Sequence, residues 1–382
     1  MRKTASASNQ CSVKFARALS AVVAFSIAPA LSAVAQTSPE AAKAIGWNNR
    51  AVELAREGNS PEAESIFRAA LETAQDDLVR ANIAGNLADL FRREDRYLEA
   101  EQFYRAALQW RQKNLPAQSI EVAYALNNLG EIYHIEGREW EARNLIETAA
   151  RNLQDQHPEA AGLPIVLSNL AVLLGHFGEF DQAEETLRAA LLCFERRHQI
   201  AGREYAVTMT NLADLLCARN KFQTAGPLYD EAIGVLKNLA TRAPSELASA
   251  LAGRGELYAR LDDPALGRQM EEQALYVLPP SGDALLRAQI LRNLGNILAA
   301  DGQPSDAMPY FEQSLVIQQK ALGGEHPATA SLLLDYASAT QRAGNKSLAR
   351  KLRKRAEDLI ARLRTQLPTP MTVSWRDLRD SR

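Results

Sequence analysis

An all-α fold is what this 382-residue sequence predicts. Three observations carry that reading: a triplet of small residues that returns at a period near 42, large apolar residues at fixed helical offsets from it, and abundant Ala beside only 6% aromatic residues. Ala favours helix, whereas aromatic and β-branched residues favour strands. A content of 46% hydrophobic and 24% charged residues is ordinary for a folded chain and selects no fold by itself.

Taken in order, the chain opens with a segment that reads as a signal peptide. Arg2, Lys3, Lys14 and Arg17, with no acid among them, precede an apolar stretch from Ala18 to Leu31, and Ala33-Val34-Ala35 supplies small residues at cleavage spacing. The stretch of 14 residues is short for a bilayer span, so cleavage after Ala35 and export to a periplasm or the exterior are expected, with no membrane span afterwards. The mature chain would then carry 40 basic and 46 acidic residues, which argues against a general affinity for nucleic acid.

The repeat begins at Ala51. Anchors follow at Ala88, Gly130, Ala171, Ala213, Gly255, Gly295 and Ala337, separated by 37, 42, 41, 42, 42, 40 and 42 residues. Twelve and nineteen positions after every anchor stands another Ala, Gly or Ser, from Ala63 and Ala70 in the first unit to Ala349 and Ala356 in the last. Sixteen after it come Phe67, Tyr104, Ile146, Leu187, Tyr229 and Phe311. Small against large at helical spacing lets two helices interlock. Gly58-Asn59, Gly137, Gly178 and Gly302 end the first helix of their units in a left-handed turn, so each unit reads as a helical hairpin.

Stretches such as LNNLGEIYHIEGREWEA (126–142), NLADLLCARNKFQTA (211–225) and ALGGEHPATASLLLDYA (321–337) make the pattern similar to the tetratricopeptide repeat, in the 42-residue form of kinesin light chains. His157-Pro158 and His326-Pro327 resemble that family's linkers, where the residue before proline leaves the helical region and shapes a turn. The resemblance spans about residues 44 to 364. It implies a right-handed α-solenoid of about eight hairpins over residues 36–364, with first helices lining a concave surface. Arg50, Thr340 and Arg353 stand at apolar packing positions of the end units, which reads as solubilising caps. The sixth unit, with Arg254, Glu271 and Asp262-Asp263, is the internal exception and is expected to pack less well. The tail 365–382 is expected to be disordered.

Catalytic and cofactor motifs are absent from the sequence: there is no Gly-rich phosphate loop, no His-Glu-x-x-His, no Gly-x-Ser-x-Gly and no Cys-x-x-Cys. His134 shares a helix face with Glu131 but lacks a third ligand, and an exposed polar face is the expectation there. Cys193 and Cys217 fall about two turns out of register on antiparallel helices, so buried reduced thiols are expected. The basic run Arg350, Lys351, Arg353, Lys354 and Arg355 reads as the solvated face of a terminal helix.

One column remains unexplained by packing. Two residues before the anchors stand Asn49, Asn86, Asn128, Asn169, Asn211, Gly253, Asn293 and Asp335. This position lies about 200° round the helix from the anchor, away from the seam within a hairpin. It meets water, a neighbouring hairpin or a ligand. Asn costs roughly half a kcal/mol relative to Ala inside a helix, so some interaction should compensate. A carboxamide offers both a donor and an acceptor to an extended peptide backbone, and the resemblance implies peptide contact here; a bond to the adjacent repeat is the structural alternative. Residues one turn to either side would select a partner's side chains: Tyr124, Glu131 and Ile135; Ile165, Val172 and His176; Val207, Asp214 and Ala218. Arg56, Arg93, Arg260 and Arg342 extend the stripe toward the ends. The expected function is a non-catalytic adaptor holding an extended segment with apolar anchors, the second reading an architectural protein that self-associates through its convex face. No cofactor, metal or nucleic acid is implied.

Overall fold

A computed structural model describes residues 38–239, 243–280 and 283–366. The segment expected to be a signal peptide and the tail beyond 366 lie outside them. The described residues form helices in eight hairpins, with no strand among them. The hairpins are α1 (Pro39–Arg56) with α2 (Ser60–Thr73), α3 (Asp77–Arg93) with α4 (Tyr97–Asn114), α5 (Ile120–Ile135) with α6 (Glu139–Gln156), and α7 (Leu163–His176) with α8 (Phe180–Arg196). They continue as α9 (Arg203–Ala218) with α10 (Phe222–Asn238), α11 (Pro244–Arg260) with α12 (Pro264–Val277), α13 (Ala284–Ala300) with α14 (Pro304–Leu322), and α15 (Pro327–Arg342) with α16 (Lys346–Gln366). Two compact units divide them, one ending at Val166 and the other starting at Leu167, within α7.

Each hairpin turns at one register. The residue seven after the anchor has positive φ in all eight: Gly58, Asp95, Gly137, Gly178, Asn220, Asp262, Gly302 and Gly344. Gly, Asn and Asp are the residues that tolerate this left-handed conformation. The expected glycine turns are therefore present, and Asp95, Asn220 and Asp262 serve the same purpose where glycine is missing. The seam inside the hairpin is tight. A Cβ on Gly130 would lie 2.6 Å from Ile146 Cγ1, and one on Gly295 would lie 2.9 Å from the Phe311 ring. Gly255 and Gly267 approach so closely that either Cβ would meet the other's carbonyl oxygen at 2.9 Å, so the sixth hairpin closes backbone to backbone.

Successive hairpins are tied by a repeated ion pair. Glu64–Arg96 at 2.6 Å, Glu101–Arg138 at 2.8 Å and Glu184–Lys221 at 2.9 Å each join the second helix of one hairpin to the turn of the next. Arg96 and Arg138 also cover the rings of Phe91 and Tyr133, with centroid distances of 4.1 and 3.6 Å. Partly exposed bridges of this kind contribute at most about 1 kcal/mol each, and their regular placement fixes register between hairpins. Thr340 departs from the expected role of a solubilising cap: it is buried, and its hydroxyl donates to the Tyr336 carbonyl at 2.7 Å.

Candidate functional site

Four members of the column, Asn86, Asn211, Asn293 and Asp335, bond across the seam to the preceding hairpin. Asn86 Nδ2 donates to Asn48 Oδ1 at 2.9 Å, Asn211 Nδ2 donates to Ser168 Oγ at 2.9 Å, and Arg292 Nε donates to Asp335 Oδ2 at 2.6 Å. In each case the column residue meets the residue three before the preceding anchor. Asn293 is bonded on both sides, donating to Glu271 Oε1 and accepting from Gln289 Nε2, each at 2.7 Å. These bonds supply the compensation that a helix-interior Asn requires. They also explain the gap in the column: a Cβ on Gly253 would lie 2.6 Å from Tyr229 Cε1 and 2.9 Å from Asp214 Oδ1. The preceding hairpin already fills that space.

Burial separates the predicted contact residues into two sets. Asn169, Asn211, Asn293, Tyr124, Glu131, Ile165 and Val172 are buried, which corrects their expected place on an open stripe. Asn86, Asn128, Ile135, His176, Val207 and Asp214 are partly buried, and Asn49 is exposed. Asn127, which recurs in the sequence only as Asn48, is more deeply buried than its neighbour Asn128. His134 is buried rather than exposed, and its Nδ1 lies 2.7 Å from Glu139 Oε2. The glutamate on its own helix face, Glu131, is instead turned toward Arg92. His326 shapes its linker as expected, with Nδ1 accepting from the Ala328 amide at 3.1 Å. Cys217 is a buried thiol and Cys193 a partly buried one, neither in a disulfide.

In the unit that ends at Val166, the inner positions of α3 to α5 hold a buried ionic cluster. The Tyr104 hydroxyl donates to Asp89, and Arg92 Nη1 lies 3.5 Å from Glu131 Oε1. Burial pushes the Asp89 carboxyl up against the opposing pull of Arg92, and pushes Glu131 up to about 7. Burial also lifts the Tyr104 phenol well above its ordinary range, with Asp89 adding to the effect. The cluster is a packed interior that sets the Asp89 and Glu131 carboxyls against Arg92, with the Tyr104 hydroxyl capping Asp89.

The unit that begins at Leu167 is different at the same register. Tyr229 donates to Asp214, but Asp214 is only partly buried. Cys217 occupies the position that Arg92 holds in the other unit, and the Tyr229 hydroxyl lies 3.9 Å from its Sγ. Arg260 donates to the Cys217 carbonyl at 2.7 Å, which holds α11 against α9. On α9, Val207 and Asp214 stay partly open one turn before and one turn after buried Asn211. This short strip pairs an apolar side chain with an oriented carboxylate. No helix among the described residues is long and apolar enough to cross a membrane.

Comparisons with known proteins agree with this architecture. A Rap protein complexed with Competence and Sporulation Factor superposes with a TM-score of 0.56 at 15% identity, covering 86% of this chain and 100% of that one. Aspartyl phosphate phosphatase F from Bacillus subtilis gives 0.52 at 13% identity, covering 88% and 98%. Kinesin-light-chain TPR-like repeats from Podosopora anserina give 0.44 at 15% identity, covering 53% and 99%. For the first two, at such identities, the likeness is one of fold alone. No curated protein matches the chain. The tetratricopeptide repeat family model matches residues 79–155, 163–238 and 286–361. With more than half of its length matched in three blocks, and with its hairpins turning at one register throughout, this chain belongs to the tetratricopeptide repeat family.

Proposed function

We propose that the protein is an exported, non-catalytic interaction scaffold that holds an extended peptide segment against the inner face of its first helices. Tetratricopeptide repeats generally mediate protein–protein interaction, and the finer reading rests on one observation: Val207 and Asp214 remain partly open on α9 while the column residue between them is buried. An apolar side chain of the segment would lie on Val207, and a basic one would meet Asp214, whose carboxylate Tyr229 orients. The buried asparagines would then act as the floor that keeps the strip in register rather than as contacts. The Rap structure carries a bound factor, which is consistent with this reading.

The test is selection of peptides from a random displayed library on the full-length protein, repeated with Val207→Lys. Enrichment of peptides pairing an apolar with a basic residue, lost in the variant at unchanged Tm, is expected. Equal enrichment by the variant overturns the reading. Export is checked by N-terminal sequencing of the protein from its producing cell: Gln36 first is expected, and Met1 would overturn it.

A second reading, self-association through the convex face, is favoured by Leu192, Tyr276 and Val316. They stand at one register of α8, α12 and α14 and are 44%, 91% and 67% exposed. Sedimentation of Tyr276→Lys beside the parent protein checks it, with a lower mass expected for the variant.

A further inference from the structure

The last helix carries a charge arrangement that its own fold does not explain. Lys346, Arg350, Lys351, Arg353, Lys354 and Arg355 are all exposed on α16, within ten residues. That is about 15 Å of helix at 1.5 Å per residue. Arg353 donates to the Gln341 side chain at 2.9 Å; among the described residues the other five make no side-chain ion pair. Scattered surface cations such as Arg56, Arg151 and Lys237 are unpaired as well among the described residues, while Arg96, Arg138, Arg219 and Lys221 lie against carboxylates; what sets α16 apart is the clustering.

Two physical rules weigh against the arrangement, with only exposed Glu357 and Asp358, four residues after Arg353 and Lys354, to offset part of it. The N-terminal end of a helix carries positive partial charge and prefers acids in its first turn, yet α16 has none there and begins with Lys346. Like charges four apart on a helix repel, and Lys346–Arg350, Arg350–Lys354 and Lys351–Arg355 are three such pairs. The opposite face needs no help from these residues, since Ala349, Leu352, Ala356, Leu359 and Leu363 already seat the helix in its core. A bound anionic partner would relieve both penalties at once.

We infer that the outer face of α16 is a second interaction surface, which docks a short acidic protein segment. Three observations favour that occupant over other polyanions. The outward arc holds no large apolar or aromatic side chain, so it offers neither insertion into a bilayer nor a platform for nucleic-acid bases. Residues 167–326 of the same unit carry 20 acidic and 14 basic residues, which repel any anionic surface extending beyond the patch. Half of the six cations are Arg, whose planar fork matches carboxylates two hydrogen bonds at a time. A stretch about 15 Å long, the reach of roughly five extended residues, is enough to meet the whole cluster.

The test uses the full-length protein and a fluorescent ten-residue peptide containing six Glu, with phosphatidylglycerol vesicles and a 20-base-pair DNA duplex as competing arms. Expected are saturable peptide binding that weakens at least tenfold between 50 and 200 mM salt and a rise in Tm on binding. A loss of binding is expected in Arg350→Glu/Lys354→Glu, which keeps its helical circular dichroism. Failure to bind at 50 mM salt, equal binding by that variant, or tighter binding of the vesicles or the duplex than of the peptide overturns the inference. If the double substitution unfolds the last hairpin, Arg350→Gln/Lys354→Gln supplies the same comparison. Val207→Lys should leave this binding intact, which separates it from the groove reading.

Discussion

Asp89 with Tyr104 and Asp214 with Tyr229 are the same pair placed in two units of one chain, and they behave differently. Both aspartates stand one residue after an anchor, and both tyrosines sixteen after it. In the unit ending at Val166, Asp89 is buried beside Arg92 and Glu131, so the pair becomes part of a closed ionic cluster. In the unit beginning at Leu167, Cys217 replaces the arginine, Gly253 leaves room for the tyrosine, and Asp214 stays partly open. The difference teaches that the repeat dictates where an inner carboxylate stands, while the next hairpin decides how far it is buried.

The sharpest way to break this comparison is Gly253→Asn, which restores the column residue where the structure has no space. A loss of about 3 kcal/mol is expected from the clash with Tyr229, read by chemical denaturation. Next in size, Tyr104→Phe should cost about 2 kcal/mol, because it strips a buried carboxylate of its donor. Tyr229→Phe should cost about 0.5 kcal/mol, since water can replace the hydroxyl at a partly exposed acid. Similar losses at both sites would remove the distinction between the units.

Smaller effects test the column itself. Asn211→Ala should cost about 1 kcal/mol through the bond to Ser168, whereas Asn128→Ala should be neutral or stabilising by about 0.5 kcal/mol, because Ala is the better helix former. Thermal melts of the two variants side by side decide this. The smallest effect at neutral pH belongs to Glu131→Gln. The folded value of Glu131, about 7, lies above its ordinary 4.5. Its contribution to stability is therefore full below pH 4.5 and is lost as pH rises through 7. The variant should lack that decline in a series of melts from pH 4 to 9, and an unchanged slope would place Glu131 outside the interior cluster.

Hairpin number, turn positions and the small-against-large seam were legible because they depend on local periodicity: Gly130 can face only Ile146 once both helices exist. The surroundings of the asparagines were not, since a helical wheel places a residue on a face without saying what packs there. Asn127 is the clearest case: it recurs at its register only as Asn48, yet it is nearly inaccessible to solvent. Asp95, Asn220 and Asp262 were available in the sequence as turn formers at the glycine register and become evident once the period is applied to them.

By itself the sequence determined an array of eight helical hairpins, because side chains three and four apart on a helix share a face and the period repeats that face along the chain. Only the tertiary structure decided which residues on that face are covered by the neighbouring hairpin and which keep some exposure. Burial is a property of what approaches from elsewhere in the chain: Asn211 is closed off by Ser168, 43 residues away, while Val207 on the same helix is not.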